Sequence, residues 1–149
     1  MKMNPENEKK LSGMFERMFT RSGDEELAPA RPGATPLNIL FSTLPNGIEV
    51  GDGWYNPIHR LCETVFFMSF LHGLDPYFYR IERCGMQMQV GIRFRNLREE
   101  DQEHANEVLK VAKTICAKTC GICEVCGHPA SQTSEGDPLC ERCEQLERI

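Results

Sequence analysis

Residues 119–149 read TCGICEVCGHPASQTSEGDPLCERCEQLERI, and this stretch decides how the rest of the chain is understood. Five of the eight cysteines fall within 24 residues, as Cys120, Cys123, Cys126, Cys140 and Cys143. Two Cys-x2-Cys pairs, Cys123/Cys126 and Cys140/Cys143, are separated by 13 residues rich in Gly, Ser and Pro. Thiolates at that spacing converge on one tetrahedral metal ion, and Zn2+ is the ion such sites characteristically take. Glycine after the second cysteine, at position 127, lets the chain fold back and aim amides at the sulfurs. The second pair enters a short helix after Pro138, and a helix N-terminus favours thiolate. The expected site is one structural Zn2+ on Cys123, Cys126, Cys140 and Cys143, within a treble-clef or ribbon module over 119–149. Four thiolates close the coordination shell, which leaves no position for a reactive water.

Two alternatives stay open at this level. Cys120 or His128 could stand in for one of the four ligands. Cys120, Cys123 and Cys126 also share the spacing that opens a bacterial ferredoxin motif, although residue 130 is alanine where the fourth cysteine would stand. Cys116 and Cys120 are left over for a redox pair or a second metal.

Working outward, 149 residues with 40% hydrophobic and 26% charged content describe a soluble domain with appendages. No apolar run approaches the ~20 residues that span a bilayer, and the N-terminus is too polar for a secretory signal. A cytosolic setting follows as the expectation, where clustered thiols mean metal more often than disulfide. The net charge is −5, and residues 119–149 alone carry six acids against two bases. Such a module is not steered toward a phosphate backbone; acidic chains more often meet basic protein surfaces.

Residues 1–36 read as a flexible arm and linker. Leu11, Met14, Phe15 and Met18 share one helical face, either leaning on the core or docking a partner. The core is expected over 37–118. The run at 38–43 reads equally as a short strand or a helical turn, and the Gly-rich GDGWYNP segment holds the only tryptophan, Trp54. Asn56-Pro57 reads as an N-cap with proline at the first helical position. The helix over 57–72 is apolar almost all round, so it should be buried on more than one side. Cys62 on its inner stripe reads as a small core residue, and His59 and His72 as end or surface residues.

YFYRIER and MQMQVGIRFRN alternate apolar and polar positions and predict a hairpin turning near Cys84-Gly85. Its outer face would present Arg80, Arg93 and Arg95. That is either an ordinary solvated face or, with Trp54 or Tyr79 stacking, a surface for nucleic acid. Asn96 followed by REED predicts a helix start, and Ala105, Val108, Leu109, Ala112, Ile115 and Cys116 form the apolar stripe of a helix ending near Lys118. It runs into the cysteine cluster with almost no linker. The expected fold is therefore α+β, a small antiparallel sheet packed on two helices with the zinc module at the C-terminus. No Walker loop, GxSxG or HExxH is present, and His59, His72, His104 and His128 share no ligand spacing, so no catalytic residue is assigned.

Two resemblances add to this. CEVCGHPASQTSEGDPLCERCEQLE resembles the four-cysteine finger of DksA/TraR-type transcription regulators, over about the last 30 residues only. The long acidic coiled coil of that family is missing here, so its polymerase activity is not carried over. GDGWYNPIHRLC at 51–62, MQVGIRF at 88–94 and TCGICEVCG at 119–127 are similar to small uncharacterised phage and prophage proteins. Those open a helix with a GDGWY-type segment, follow it with a strand hairpin and end in TCE-C-CG. The extra Cys120, and Cys143 where a histidine is common, depart from that pattern. The resemblance implies a phage accessory protein that binds and modulates a host protein, in defence or transcription, in the host cytoplasm. The alternative reading is nucleic-acid binding through the arginine face.

Overall fold

The long apolar helix begins at Tyr55 rather than Pro57 in the computed structural model, which describes residues 1–21, 42–132 and 137–147. Asp52–Trp54 form a 3-10 turn and Trp54 takes the cap position, so Pro57 falls inside the first turn. There its missing N–H has no partner to lose. This helix ends at Leu71, and Gly73 follows with φ +67, the left-handed conformation that closes a helix. Ile58, Leu61, Cys62 and Val65 are fully buried, as the inner stripe predicts. Burial pushes the Cys62 thiol far up, which leaves it neutral and inert. The outer face departs from expectation. Phe66, Phe67, Phe70 and Leu71 are 47%, 64%, 74% and 74% exposed, so the helix is covered on one side only.

The elements run α1 (Pro5–Met14), α2 (Glu16–Phe19), β1 (Ile48–Glu49), α3 (Tyr55–Leu71), β2 (Pro76–Cys84), β3 (Gln87–Phe94), α4 (Gln102–Ala117), β4 (Ser131–Gln132), β5 (Pro138–Leu139) and α5 (Glu141–Glu147). The hairpin β2–β3 turns at Gly85, as expected, but the sheet is mixed rather than purely antiparallel. β1 lies parallel to β2, with Ile48 beside Ile81. The alternation in β2 is also broken. The register shifts between Phe78 and Arg80, which lets both Phe78 and Ile81 face the core although their spacing is odd. Gly91 lies across from the extra residue, and a Cβ there would fall 2.6 Å from a Tyr79 ring atom. The tyrosine ring thus lies flat over the strand where a side chain is missing.

The flexible arm expected at 1–36 is, over its first 21 residues, part of the core. Phe15 adopts φ −122, ψ 45 and splits the predicted stripe into α1 and α2, so Met14 points out while Leu11, Met18 and Phe19 pack inward. Phe19 stacks on Phe78 with ring centroids 5.3 Å apart. Residues 22–36 of that arm, and 38–41 of the expected strand at 38–43, lie outside the described residues. Ser42 makes an isolated antiparallel bridge with Thr20.

Arg95 ties this N-terminal part to the sheet. Its guanidinium donates to Asp75 Oδ1 at 3.0 Å, to the Arg17 carbonyl at 2.9 Å and to the Thr20 carbonyl at 2.8 Å. With its side chain only 7% exposed, Arg95 is a structural clasp and not part of an open binding face. Burial pushes the Asp75 carboxyl up, but hydrogen bonds and charge from Arg17 and Arg95 outweigh it and hold it below the usual range.

α4 starts after a 3-10 turn over Glu99–Asp101, and Asn96 sits in a left-handed turn (φ 51) instead of capping the helix. Ala105, Val108, Ala112, Ile115 and Cys116 are buried against β3 and α3, while Leu109 on the flank is 39% exposed. Burial raises the Cys116 thiol to about 11, so it too is a packing residue.

A buried carboxylate in α1 gives a pH signature. Glu8 is 2% exposed and accepts the Ile48 N–H at 3.1 Å. Burial raises its pKa, and the Ile48 hydrogen bond and Lys2 offset this only in part. The folded state therefore binds a proton that the unfolded chain gives up. That contribution is present below pH ~4.5 and is lost as pH rises through the folded pKa. Glu8→Gln keeps the acceptor and removes the ionisation. It is expected to raise Tm at pH 7 by about 2–4 °C, with the difference closing below pH ~4 in melts across pH.

Candidate metal centre

α4 passes directly into a 3-10 turn over Lys118–Gly121, and the chain then enters the cysteine module. Thr119 is the fully buried pivot: its hydroxyl donates to the Cys116 carbonyl at 2.6 Å and accepts the Met88 N–H at 2.8 Å. Beyond it, Ile122 bridges Pro129, and the Cys123 N–H donates to the His128 carbonyl at 2.8 Å. The Gly127 N–H closes on the Cys123 carbonyl at 2.9 Å. Gly127 has φ +80, a conformation that a side chain would strain, and so the 123–127 loop is the knuckle predicted from CEVCG. The two-residue strands β4 and β5 pair antiparallel, and Cys140 leads into α5, which carries Cys143. Knuckle, hairpin and helix follow in the order read from the sequence.

These elements bring the sulfurs of Cys123, Cys126, Cys140 and Cys143 within 4.8 Å of one another. Cys126 and Cys140 Sγ are 3.5 Å apart, far beyond the ~2.05 Å of a disulfide, and all four cysteines are free. A tetrahedral zinc with sulfurs at ~2.3 Å has S···S edges of about 3.8 Å, a length that falls between the 3.5 Å of the Cys126–Cys140 pair and the 4.8 Å within which all four sulfurs lie. The local electrostatics fit as well. Burial pushes the Cys123 thiol up, yet backbone N–H groups of Cys140, Cys126 and Val125 outweigh it and lower it to about 7. Cys143 is pushed up instead, by burial and by neighbouring thiols that compete for the same protons. A divalent cation removes that conflict, because it favours thiolate on every ligand at once. The arrangement can hold one metal ion in a closed four-sulfur shell.

The other ligand candidates fall outside this cluster. Cys120 is exposed in the 3-10 turn. His128 sits beside the site, its Nδ1 3.2 Å from Cys126 Sγ, as a hydrogen-bonding neighbour of a sulfur. The residues assigned to a binding surface separate. Arg93 lies over the Tyr79 ring at 4.7 Å, and Arg80 approaches the same ring at 5.8 Å and Glu82 at 3.5 Å. Arg95 is the clasp described above. Trp54 is 0% exposed, so it cannot stack on a ligand from the surface.

Trp54 belongs instead to a seam that sequence reasoning missed. Its Nε1–H donates to the Ile122 carbonyl at 2.9 Å, and the Gly53 N–H donates to the Glu124 carbonyl at 2.8 Å. The Gly51 N–H donates to Glu124 Oε1 at 3.0 Å. Glu124, only 2% exposed, also faces Arg83, whose guanidinium reaches Asp137 at 2.9 Å beside β5. GDGW is thus the cradle that receives the knuckle. The signal was in the sequence: two glycines flanking an acid before the lone tryptophan, and a glutamate between two ligands that has no reason to be there unless something answers it.

Fold and site together define an α+β protein whose C-terminal module, clamped on its core, gathers four cysteines that could hold a metal ion. No family model matches the chain, and no solved structure matches it. It is similar to a DEAD-box ATP-dependent RNA helicase 46 of Arabidopsis thaliana, 25% identical over 88 residues. That stretch covers 59% of this chain and 12% of the helicase, so the chain spans a small fraction of that relative's length.

Proposed function

We propose that this is a non-enzymatic, zinc-stapled binding protein that acts by docking on another protein. The observation that carries this reading is the outer face of α3. Phe66, Phe67, Phe70 and Leu71 leave an apolar patch of roughly 500 Å2 in water, at the upper end of what monomers expose. Its rings are already ordered against each other: Phe66 stacks on Phe70 at 6.3 Å and meets Phe67 edge-on at 6.2 Å. Pre-arranged aromatics lose little entropy on binding, which is the character of interface hot spots. The all-cysteine donor set supports zinc as the ion, and four thiolates would fill its shell in a structural role. The GDGWY and TCGICEVCG likeness supplies the setting within this proposal, a phage or prophage accessory protein acting on a host protein.

A photo-crosslinker at position 67 should capture one stoichiometric protein from bacterial host extract, and Phe67→Asp/Phe70→Asp should abolish its co-purification. Capture that survives the double substitution, or no partner at all, counts against the reading. Nucleic-acid binding is less well supported, because Arg95 is buried and Trp54 is covered. RNA in the captured fraction at ~50 mM salt would revive it.

A further inference from the structure

The outer edge of β3 is a second surface, independent of the α3 face. β3 has β2 on one side and, among the described residues, no strand on the other. The Met88 N–H donates to Thr119 Oγ1 and therefore points away from β2. Alternate residues of an antiparallel strand turn their backbone groups to the same side, so Val90 and Ile92 also present N–H and C=O to this edge. Thr119 occupies the edge at Met88 and closes it at that end.

α4 runs back alongside the strand and forms the facing wall. Between them lies a cavity of about 350 Å3, lined by Cys84, residues 87–90 and Ile92 on the strand side, the glutamines at its end included, and by Leu109, Ala112, Lys113 and Cys116 from α4. These α4 positions share one helical face, and Leu109 is the half-open apolar lip noted above. Among the described residues, no carboxylate lines the cavity and Lys113 is its one charge, in a chain whose net charge is −5. An open strand edge beside a helix, with an apolar floor between them, is the geometry by which folded domains accept an added strand. From Leu109 to Cys116 the helix wall spans about 10 Å, room for roughly three to four extended residues.

We propose that this groove takes an extended peptide segment of a partner protein, added as a strand to β3. Apolar side chains at alternate positions face Ile92, Leu109 and Ala112, and an acidic side chain meets Lys113. Backbone pairing along Val90 and Ile92 supplies affinity, while the floor and the lysine supply selectivity.

The test is to pan a random heptapeptide display library against the full zinc-loaded chain and measure synthetic versions of the winners by fluorescence anisotropy. The expected winners alternate apolar residues with an acid next to them. Val90→Pro deletes the outward N–H and trims the Val90 side chain that lines the groove, a substitution that edge strands accept, and should weaken binding about tenfold. Lys113→Glu lies on an exposed side chain and leaves the fold intact; re-panning against it should exchange the acid for a basic residue. Phe67→Asp/Phe70→Asp should leave peptide affinity unchanged, which separates this site from the α3 face. The proposal is overturned if no sequence is enriched, or if Lys113→Glu and Val90→Pro both keep wild-type affinity. It is equally overturned if light scattering shows β3 paired to a second copy, as a dimer that Val90→Pro dissociates.

Discussion

Cys123→Ser is expected to release the metal and unfold residues 122–132 and 137–147 while α3 and α4 stay folded. Without an ion on its four cysteines the module has little to hold it. Its own apolar cluster is Cys123, Leu139 and Cys143, with Ala130 and Cys140 half-buried beside them, and all but two of these are ligands. Structural zinc supplies about 10–16 kcal/mol in such modules, against a domain stability of about 5–15 kcal/mol, so losing it leaves little to oppose chain entropy. The core is different: Trp54, Ile58, Leu61, Phe78, Ile81 and Met88 form one buried cluster that contains no ligand. Elemental analysis should give about one zinc per wild-type chain and almost none for the variant. Amide resonances of 122–132 and 137–147 should collapse to random-coil positions while those of α3 and α4 persist. Retained metal, a folded module without metal, or iron with a visible chromophore would each sink the assignment.

The second large effect comes from a residue that touches no metal. A Cβ on Gly53 would lie 2.6 Å from both the Glu124 carbonyl carbon and the Gly127 N, and closer still to the Cys123 carbonyl oxygen. These are backbone atoms of the knuckle, which cannot turn aside as a flexible side chain would. Gly53→Ala must push the knuckle off its cradle and break the Gly53–Glu124 hydrogen bond, with the neighbouring Trp54–Ile122 bond strained or lost. Overpacking of about 1–3 kcal/mol and about 1 kcal/mol for each hydrogen bond sum to roughly 3–5 kcal/mol. In a domain of this size that is a Tm loss of about 10 °C. Gly13→Ala is the control, since nothing lies within 4 Å of its added methyl and it sits in α1. A Gly53→Ala melt within about 2 °C of wild type would mean that the cradle is softer than its contacts imply.

The metal site was legible because ligand spacing is local chemistry: Cys123/Cys126 and Cys140/Cys143 each sit two residues apart, and thiolates have few uses at that spacing. α4 and the β2–β3 hairpin were legible for a similar reason, since periodicity reports which side is covered. What failed needed information from far along the chain. Nothing near Arg95 announces that the Arg17 and Thr20 carbonyls will fold back to meet it. Trp54 reads as a surface aromatic in a Gly-rich loop until Ile122 is placed beside it. α3 shows the opposite error. Its composition demands burial on two sides, and the fold covers one, so the unmet demand of Phe66, Phe67 and Phe70 became the strongest statement about function.

The Trp54–Ile122 bond makes the protein its own optical gauge. It is the only tryptophan, fully buried, and its indole N–H is held by the carbonyl of the residue just before the first ligand. Emission from a shielded, hydrogen-bonded indole differs in wavelength and yield from that of a wetted one. Loading and stripping of the ion can therefore be followed in the native chain, with no dye, tag or added chromophore.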